Sequence, residues 1–80
     1  METAFVLINC DLRSEKDIIE ELKHIESIKE IRGTFGAYDI VTKIENSEKD
    51  KVREVITRNI RKLPHVRSTL SLMSIQEQRQ

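Results

Sequence analysis

The sequence predicts an α+β fold of the ferredoxin-like kind, with element order β-α-β-β-α-β and a four-stranded antiparallel sheet ordered 4-1-3-2. Two helices lie on one face of that sheet, because right-handed crossovers place them there. Three observations predict this. Four short runs are rich in β-formers, two longer stretches carry apolar residues at helical spacing behind a serine, and strand, capped helix, strand occurs twice in succession.

Thr3 to Asn9 is a continuous apolar run and reads as a strand covered on both faces. Ser14, with Asp17 three residues on, offers a cap for the first helix. Ile18, Ile19, Leu22 and Ile25 then form one apolar stripe, with Glu15, Lys16, Glu20, Glu21 and Lys23 facing water. Ile28 to Phe35 is the second strand, with Ile31, Gly33 and Phe35 on one face. Gly36 and Ala37 mark a tight connection, and Tyr38 to Ile44 is the third strand, antiparallel to the second. Ser47 with Asp50 repeats the cap spacing ahead of Val52, Val55, Ile56, Ile60 and Leu63, while Glu54 and Arg58 form an i, i+4 pair on the wet side. Pro64 ends that helix. Val66 to Met73 is the fourth strand, with Leu70 and Leu72 on one face and Thr69 and Ser71 on the other. Residues 1–80 form a single domain, of which 74–80 is a polar tail.

Two short helices cover one face of the sheet and leave the other bare. Ala4, Val6 and Ile8 of the first strand point one way, and Phe5 and Leu7 the other. One set must therefore lie on the bare face, where each exposed side chain forgoes roughly 1.5–3 kcal/mol of burial. A two-fold, sheet-to-sheet dimer is the simplest remedy. Size leads to the same expectation. A domain of 80 residues hides only about 60–65% of its unfolded surface. The usual supports are disulfides, metals or oligomers. Cys10 stands alone, and neither His24 nor His65 belongs to a metal-ligand spacing, so oligomerisation remains.

Lysines and arginines number 14 and acidic residues 14, a formal charge of zero that argues against direct nucleic-acid binding. The longest apolar run, Ala4 to Ile8, is too short to span a bilayer, and a lone cysteine fits a reducing compartment. The expectation is a cytoplasmic protein without membrane contact. No catalytic constellation, phosphate loop or cofactor motif stands out.

The stretch Gly33-Thr34-Phe35-Gly36-Ala37-Tyr38-Asp39 resembles the Gly-x-Tyr-Asp turn of the RAM (regulation of amino-acid metabolism) domain, the effector-binding half of Lrp/AsnC-family transcriptional regulators. Ala4 to Ile8 looks like that domain's first strand. Leu63 to Ser71 looks like its Pro-Gly-Val-x-x-Thr-x-Thr segment, with His65 in place of the Gly and Ser71 in place of the second Thr. Met1 stands two residues before the first strand, so the resemblance is to stand-alone modules that lack a helix-turn-helix of their own. The resemblance implies a dimer that assembles further, often into an octameric ring, with a free amino acid bound at the contacts between dimers. Full-length Lrp/AsnC regulators are candidate partners.

An amino acid needs donors for its carboxylate and acceptors for its ammonium. The backbone amides of Gly36 and Ala37 are the candidate donors, Asp39 the candidate acceptor, Tyr38 a flanking contact, and Thr69 and Ser71 supply hydroxyls at the rim. Each has a plainer reading: a turn glycine, an Asp bonding turn amides, a packed Tyr, and β-formers on a strand. Two other functions compete with sensing. One is an assembly-only partner of full-length regulators, and the other a small dimeric enzyme on the same fold. The Gly36–Asp39 turn followed by Val66-x-x-Thr69 favours the RAM reading over an ACT-like domain.

Overall fold

The computed structural model describes residues 1–73; the polar tail expected at 74–80 lies outside the described residues. The chain runs β1 (Glu2–Cys10), α1 (Glu15–Leu22), β2 (Ile28–Gly33), β3 (Ile40–Asn46), α2 (Lys49–Glu54, continuing as a π-helix over Val55–Ile60) and β4 (Val66–Met73). The strands form one antiparallel sheet in the order β2-β3-β1-β4, which is the expected 4-1-3-2.

Alternation along β1 decides the two faces. Ala4, Val6 and Ile8 are fully buried, and they meet Ile18 and Leu22 of α1, Val52, Ile56 and Ile60 of α2, and Ile40 and Ile44 of β3 in one core. Both helices therefore cover the same face. A polar member of this layer is Thr42, whose hydroxyl donates to the Val6 carbonyl at 3.1 Å and so is satisfied in the interior. Phe5 points the other way and stays 39% exposed, as do its β4 neighbours Leu70 at 43% and Leu72 at 51%. In a single subunit β1 is thus covered on one face only.

Both helix starts differ from expectation. Neither Ser14 nor Ser47 caps with its side chain. Ser14 is buried and its N–H donates to the Asp11 carbonyl at 3.0 Å. The second cap position is Glu48, set by Asn46, whose side-chain oxygen accepts the Glu48 N–H at 3.0 Å in an Asx turn. Glu54 and Arg58 do not pair, because the π-winding that begins at Val55 alters their relative angle. That winding has a packing reason. Val52, Ile56 and Ile60 follow one another at intervals of four, which a helix of about 3.6 residues per turn would rotate off a common line. Widening the turn, with the Arg61 N–H reaching back to the Ile56 carbonyl, keeps all three on the sheet.

The second strand ends at Gly33, two residues sooner than expected. The Thr34 N–H closes the hairpin on the Asp39 carbonyl at 2.9 Å, and residues 34–39 form an open loop instead of a tight turn. Phe35 accordingly sits in that loop, fully exposed, and shares no strand face with Ile31. No helix among the described residues is long and apolar enough to cross a membrane.

Candidate functional site

The β1–α1 connection, the 34–39 loop and the start of β4 come together at one end of the sheet. Asp39 ties the 34–39 loop to the end of β1. Its N–H donates to the Ile8 carbonyl at 2.9 Å, and its carboxylate Oδ2 accepts the Cys10 N–H at 2.9 Å. A carboxylate that accepts one backbone donor through Oδ2 keeps Oδ1 for another. Gly36 holds φ at +121°, which an L side chain rarely adopts, so glycine is needed here for conformation. The Thr34 hydroxyl donates to the Tyr38 carbonyl and pins the loop's other leg.

A break in register supplies the rest. Asn9 pairs with Ser68, but Cys10 pairs with Val66, so Arg67 is an extra residue in β4 opposite a single step of β1. Such a bulge re-aims a side chain that regular alternation would send elsewhere. Arg67 and Ser68 thereby line a cleft of about 370 Å³ together with Asn9, Cys10 and Asp39. Just outside it, Asp11 stands 3.9 Å from the Arg67 guanidinium and 3.2 Å from His65 Nδ1. His65 occupies the left-handed region at φ +73°.

The six residues picked out in the sequence divide between two places. Gly36, Ala37, Tyr38 and Asp39 form one loop. Gly36 and Ala37 are exposed and their amides donate to no other described residue, while Tyr38 and Asp39 are half-buried. Thr69 and Ser71 are not brought to this loop. They pair with Ile8 and Val6 on the helix-covered side, and the Ser71 hydroxyl is buried with no partner among the described residues. Strand alternation turns Ser71 inward, so within one subunit its hydroxyl does not meet the 36–39 loop. Arg67, Ser68, Asn9 and Cys10 were missed. Ser68 could have been found, since it shares a face with Leu70 and Leu72; Arg67 could not, because its position depends on the bulge.

Cys10 is buried and 3.7 Å from Asp39 Oδ2. Burial, helped by the carboxylates of Asp39 and Glu15, pushes its thiol up from 9.0 to about 11. It is a poor nucleophile and a poor metal ligand at neutral pH. Among the described residues no group of three or more His, Cys, Asp or Glu side chains is placed to hold a metal ion.

The family model of the Lrp/AsnC ligand binding domain matches residues 3–80. The chain belongs to this family. The family ties the domain to regulation of transcription. An uncharacterised HTH-type transcriptional regulator of Pyrococcus furiosus is 28% identical over 75 residues, covering 90% of this chain and 50% of the relative. The chain thus spans half the length of that curated relative. A hypothetical protein of Pyrococcus horikoshii has the same structure with a TM-score of 0.88 at 31% identity, over 96% of this chain and 93% of that one. A transcriptional regulator of Neisseria meningitidis, solved in complex with L-Met, shares the fold with a TM-score of 0.83 at 10% identity, over 99% of this chain and 53% of that one. In this Lrp/AsnC domain the 36–39 loop is tied to β1 by Asp39, and His65 takes a left-handed position that a glycine would fill without strain.

Proposed function

We propose that this Lrp/AsnC domain senses a free amino acid at the cleft between the 34–39 loop and the bulged start of β4, and that it works as a sheet-to-sheet dimer. The observation that carries the reading is the pairing of one carboxylate and one guanidinium, Asp39 and Arg67, in a single cleft. A zwitterion needs one of each. Arg67 is the donor for the ligand carboxylate, supplemented by the amides of Gly36 and Ala37, and Asp39 Oδ1 is the acceptor for its ammonium. Ser68 and Asn9 add neutral donors and acceptors at the wall. Tyr38, within the same loop, flanks the ligand. Thr69 and Ser71 keep a part in binding only where a neighbouring subunit presents them. The L-Met complex of the Neisseria regulator supports the ligand class.

The dimer follows from the open sheet face, where Phe5, Leu70 and Leu72 stand 39%, 43% and 51% exposed. Dimers of this kind assemble further, up to an octamer, and co-assembly with full-length Lrp/AsnC regulators carries the signal to DNA. The cleft lies at a sheet end and is open, so a second dimer docking there closes it and links binding to assembly.

A thermal-shift screen of the twenty amino acids, run beside sizing, tests both halves. The expected result is a raised melting temperature or a changed assembly size with some of them, lost in Arg67→Ala. No response from any amino acid, with the dimer intact, favours the assembly-only reading.

A further inference from the structure

A net charge of zero hides an uneven distribution. Residues 1–48 hold six Lys and Arg against eleven Asp and Glu, whereas residues 49–67 hold seven against two. The second stretch is α2 with its exit to β4. Six of its cations, Lys49, Lys51, Arg53, Arg58, Arg61 and Lys62, are exposed, and none takes part in an ion pair among the described residues.

The winding of α2 sorts these cations. Val52, Ile56 and Ile60 recur every four residues and stay buried in one line, so other sets spaced by four form lines as well. Val55 and Leu63 belong to the line on one flank. Both pack against the core, and Leu63 lines the groove towards α1 beside the carboxylates of Asp17, Glu20 and Glu21. Lys49, Arg53 and Arg61 belong to the opposite flank, with uncharged Thr57 between them, and so face away from those acids. The outermost line is Asp50, Glu54, Arg58 and Lys62. Its acids, with Glu48, stand at the start of the helix, and from Val55 to Met73 the chain has no acidic residue. The result is a basic ridge about 15–18 Å long that strengthens towards Arg61.

Helix energetics account for part of it. Cations near a helix C-terminus offset the dipole, which covers Arg58, Arg61 and Lys62, but Lys49 stands in the first turn, where the dipole opposes a positive charge. A bilayer surface does not fit, because the apolar line of the helix is buried in the core and none of it is left to insert between lipids. An acidic protein would need carboxylates at the spacing of the ridge itself. A nucleic-acid duplex carries a negative charge about every 1.7 Å of its axis, so each cation meets a phosphate wherever the ridge lands. Arg53, Arg58 and Arg61 also carry the forked guanidinium that grips phosphate oxygens through two parallel hydrogen bonds. Regulation of transcription, to which the family ties this domain, makes DNA the duplex at hand.

We propose that the flank of α2 led by Arg53 and Arg61 binds the phosphate backbone of duplex DNA without reading its sequence. The ridge shares no residue with the amino-acid cleft and gives the domain a DNA contact of its own, beside that of any DNA-binding partner.

Fluorescence anisotropy of a labelled, mixed-sequence duplex, titrated with the full chain between about 50 and about 200 mM salt, tests this. Each engaged cation contributes about −0.9 to the slope of log affinity against log salt. The double variant Arg53→Gln, Arg61→Gln should therefore flatten the slope by about 1.8 and bind at least about tenfold more weakly at the low-salt end. Lys16→Gln with Lys23→Gln removes the same charge from the α1 side and should bind as wild type. All four side chains are exposed, and circular dichroism checks that both variants fold. Wild type that fails to bind at low salt overturns the proposal. So does a ridge variant that binds no worse than the α1 variant, since binding would then not depend on the ridge. Polyglutamate that competes as well as the duplex at matched charge also overturns it, and assigns the ridge to an acidic protein instead.

Discussion

Asp39 Oδ2 sits 2.9 Å from the Cys10 backbone nitrogen and 3.7 Å from its sulfur, so one carboxylate both caps the C-terminal end of β1 and charges the surroundings of a buried thiol. Its two carboxylate oxygens have separable jobs, one structural and one available to a ligand.

Replacing Asp39 by Ala leaves the Cys10 N–H without its acceptor and should cost about 1–3 kcal/mol in urea unfolding. Asp39→Asn keeps an acceptor oxygen and should cost less than Ala, yet it removes the charge proposed to hold a ligand ammonium. The expected split is therefore a near-native fold with a lost amino-acid response in the Asn variant. An Asn variant that responds as wild type would confine Asp39 to its structural bond.

The thiol gives a pH signature. Cys10 titrates near 11 in the fold and near 9.0 when free of it. The folded state therefore holds the proton more tightly than the unfolded one. That contribution is fully present below pH 9.0 and is lost as the pH rises towards 11. Stability should fall over that interval in wild type and fall less in Cys10→Ala, measured as the urea midpoint at a series of pH values. Thiol labelling of native protein near neutral pH should be slow, and faster in Asp39→Asn, where a carboxylate that disfavours the thiolate is gone.

Most of the layer architecture is legible in the sequence because it depends on patterns that no tertiary contact can reverse. Val66–Met73 is a strand with the expected bounds, and alternation along Ala4–Ile8 leaves only two sets to choose between. What could not be read depends on geometry between elements. The choice of Asn46 over Ser47 at a helix start, the π-winding that aligns Val52, Ile56 and Ile60, and the early end of β2 at Gly33 each follow from fitting one element to another. The site divides the same way. Its loop is visible as a motif, whereas Arg67 enters only through a register shift.

His65 offers a test of strain. At φ +73° an L side chain costs roughly 1–2 kcal/mol that glycine does not. The exposed contact with Asp11 returns about 0–1 kcal/mol. His65→Gly should therefore raise stability by about 1 kcal/mol, a shift of roughly 4–8 °C in Tm for a domain of this size. His65→Ala keeps the strained geometry and loses the contact, so its Tm should not exceed that of wild type. Equal melting of the Gly and Ala variants would show that the backbone carries no strain there.

Two hydroxyls flank Val6 on the buried side of the sheet, and their situations are opposite. Thr42 donates to the Val6 carbonyl at 3.1 Å, whereas Ser71, across β1, has a buried oxygen with no partner among the described residues. Removing a made bond and removing an unmade one should act in opposite directions. Thr42→Val should lower stability by about 1 kcal/mol, since shape is kept and a hydrogen bond is lost. Ser71→Ala deletes a desolvated oxygen that gains nothing from its surroundings, and should leave stability unchanged or raise it by up to about 1 kcal/mol. Urea midpoints of the two variants against wild type read this directly. The same Ser71→Ala protein also locates the effector. With Arg67 and Asp39 as the binding groups at the sheet end, its amino-acid response should match wild type; a folded Ser71→Ala dimer that no longer responds would move the site to the helix-covered side of β4.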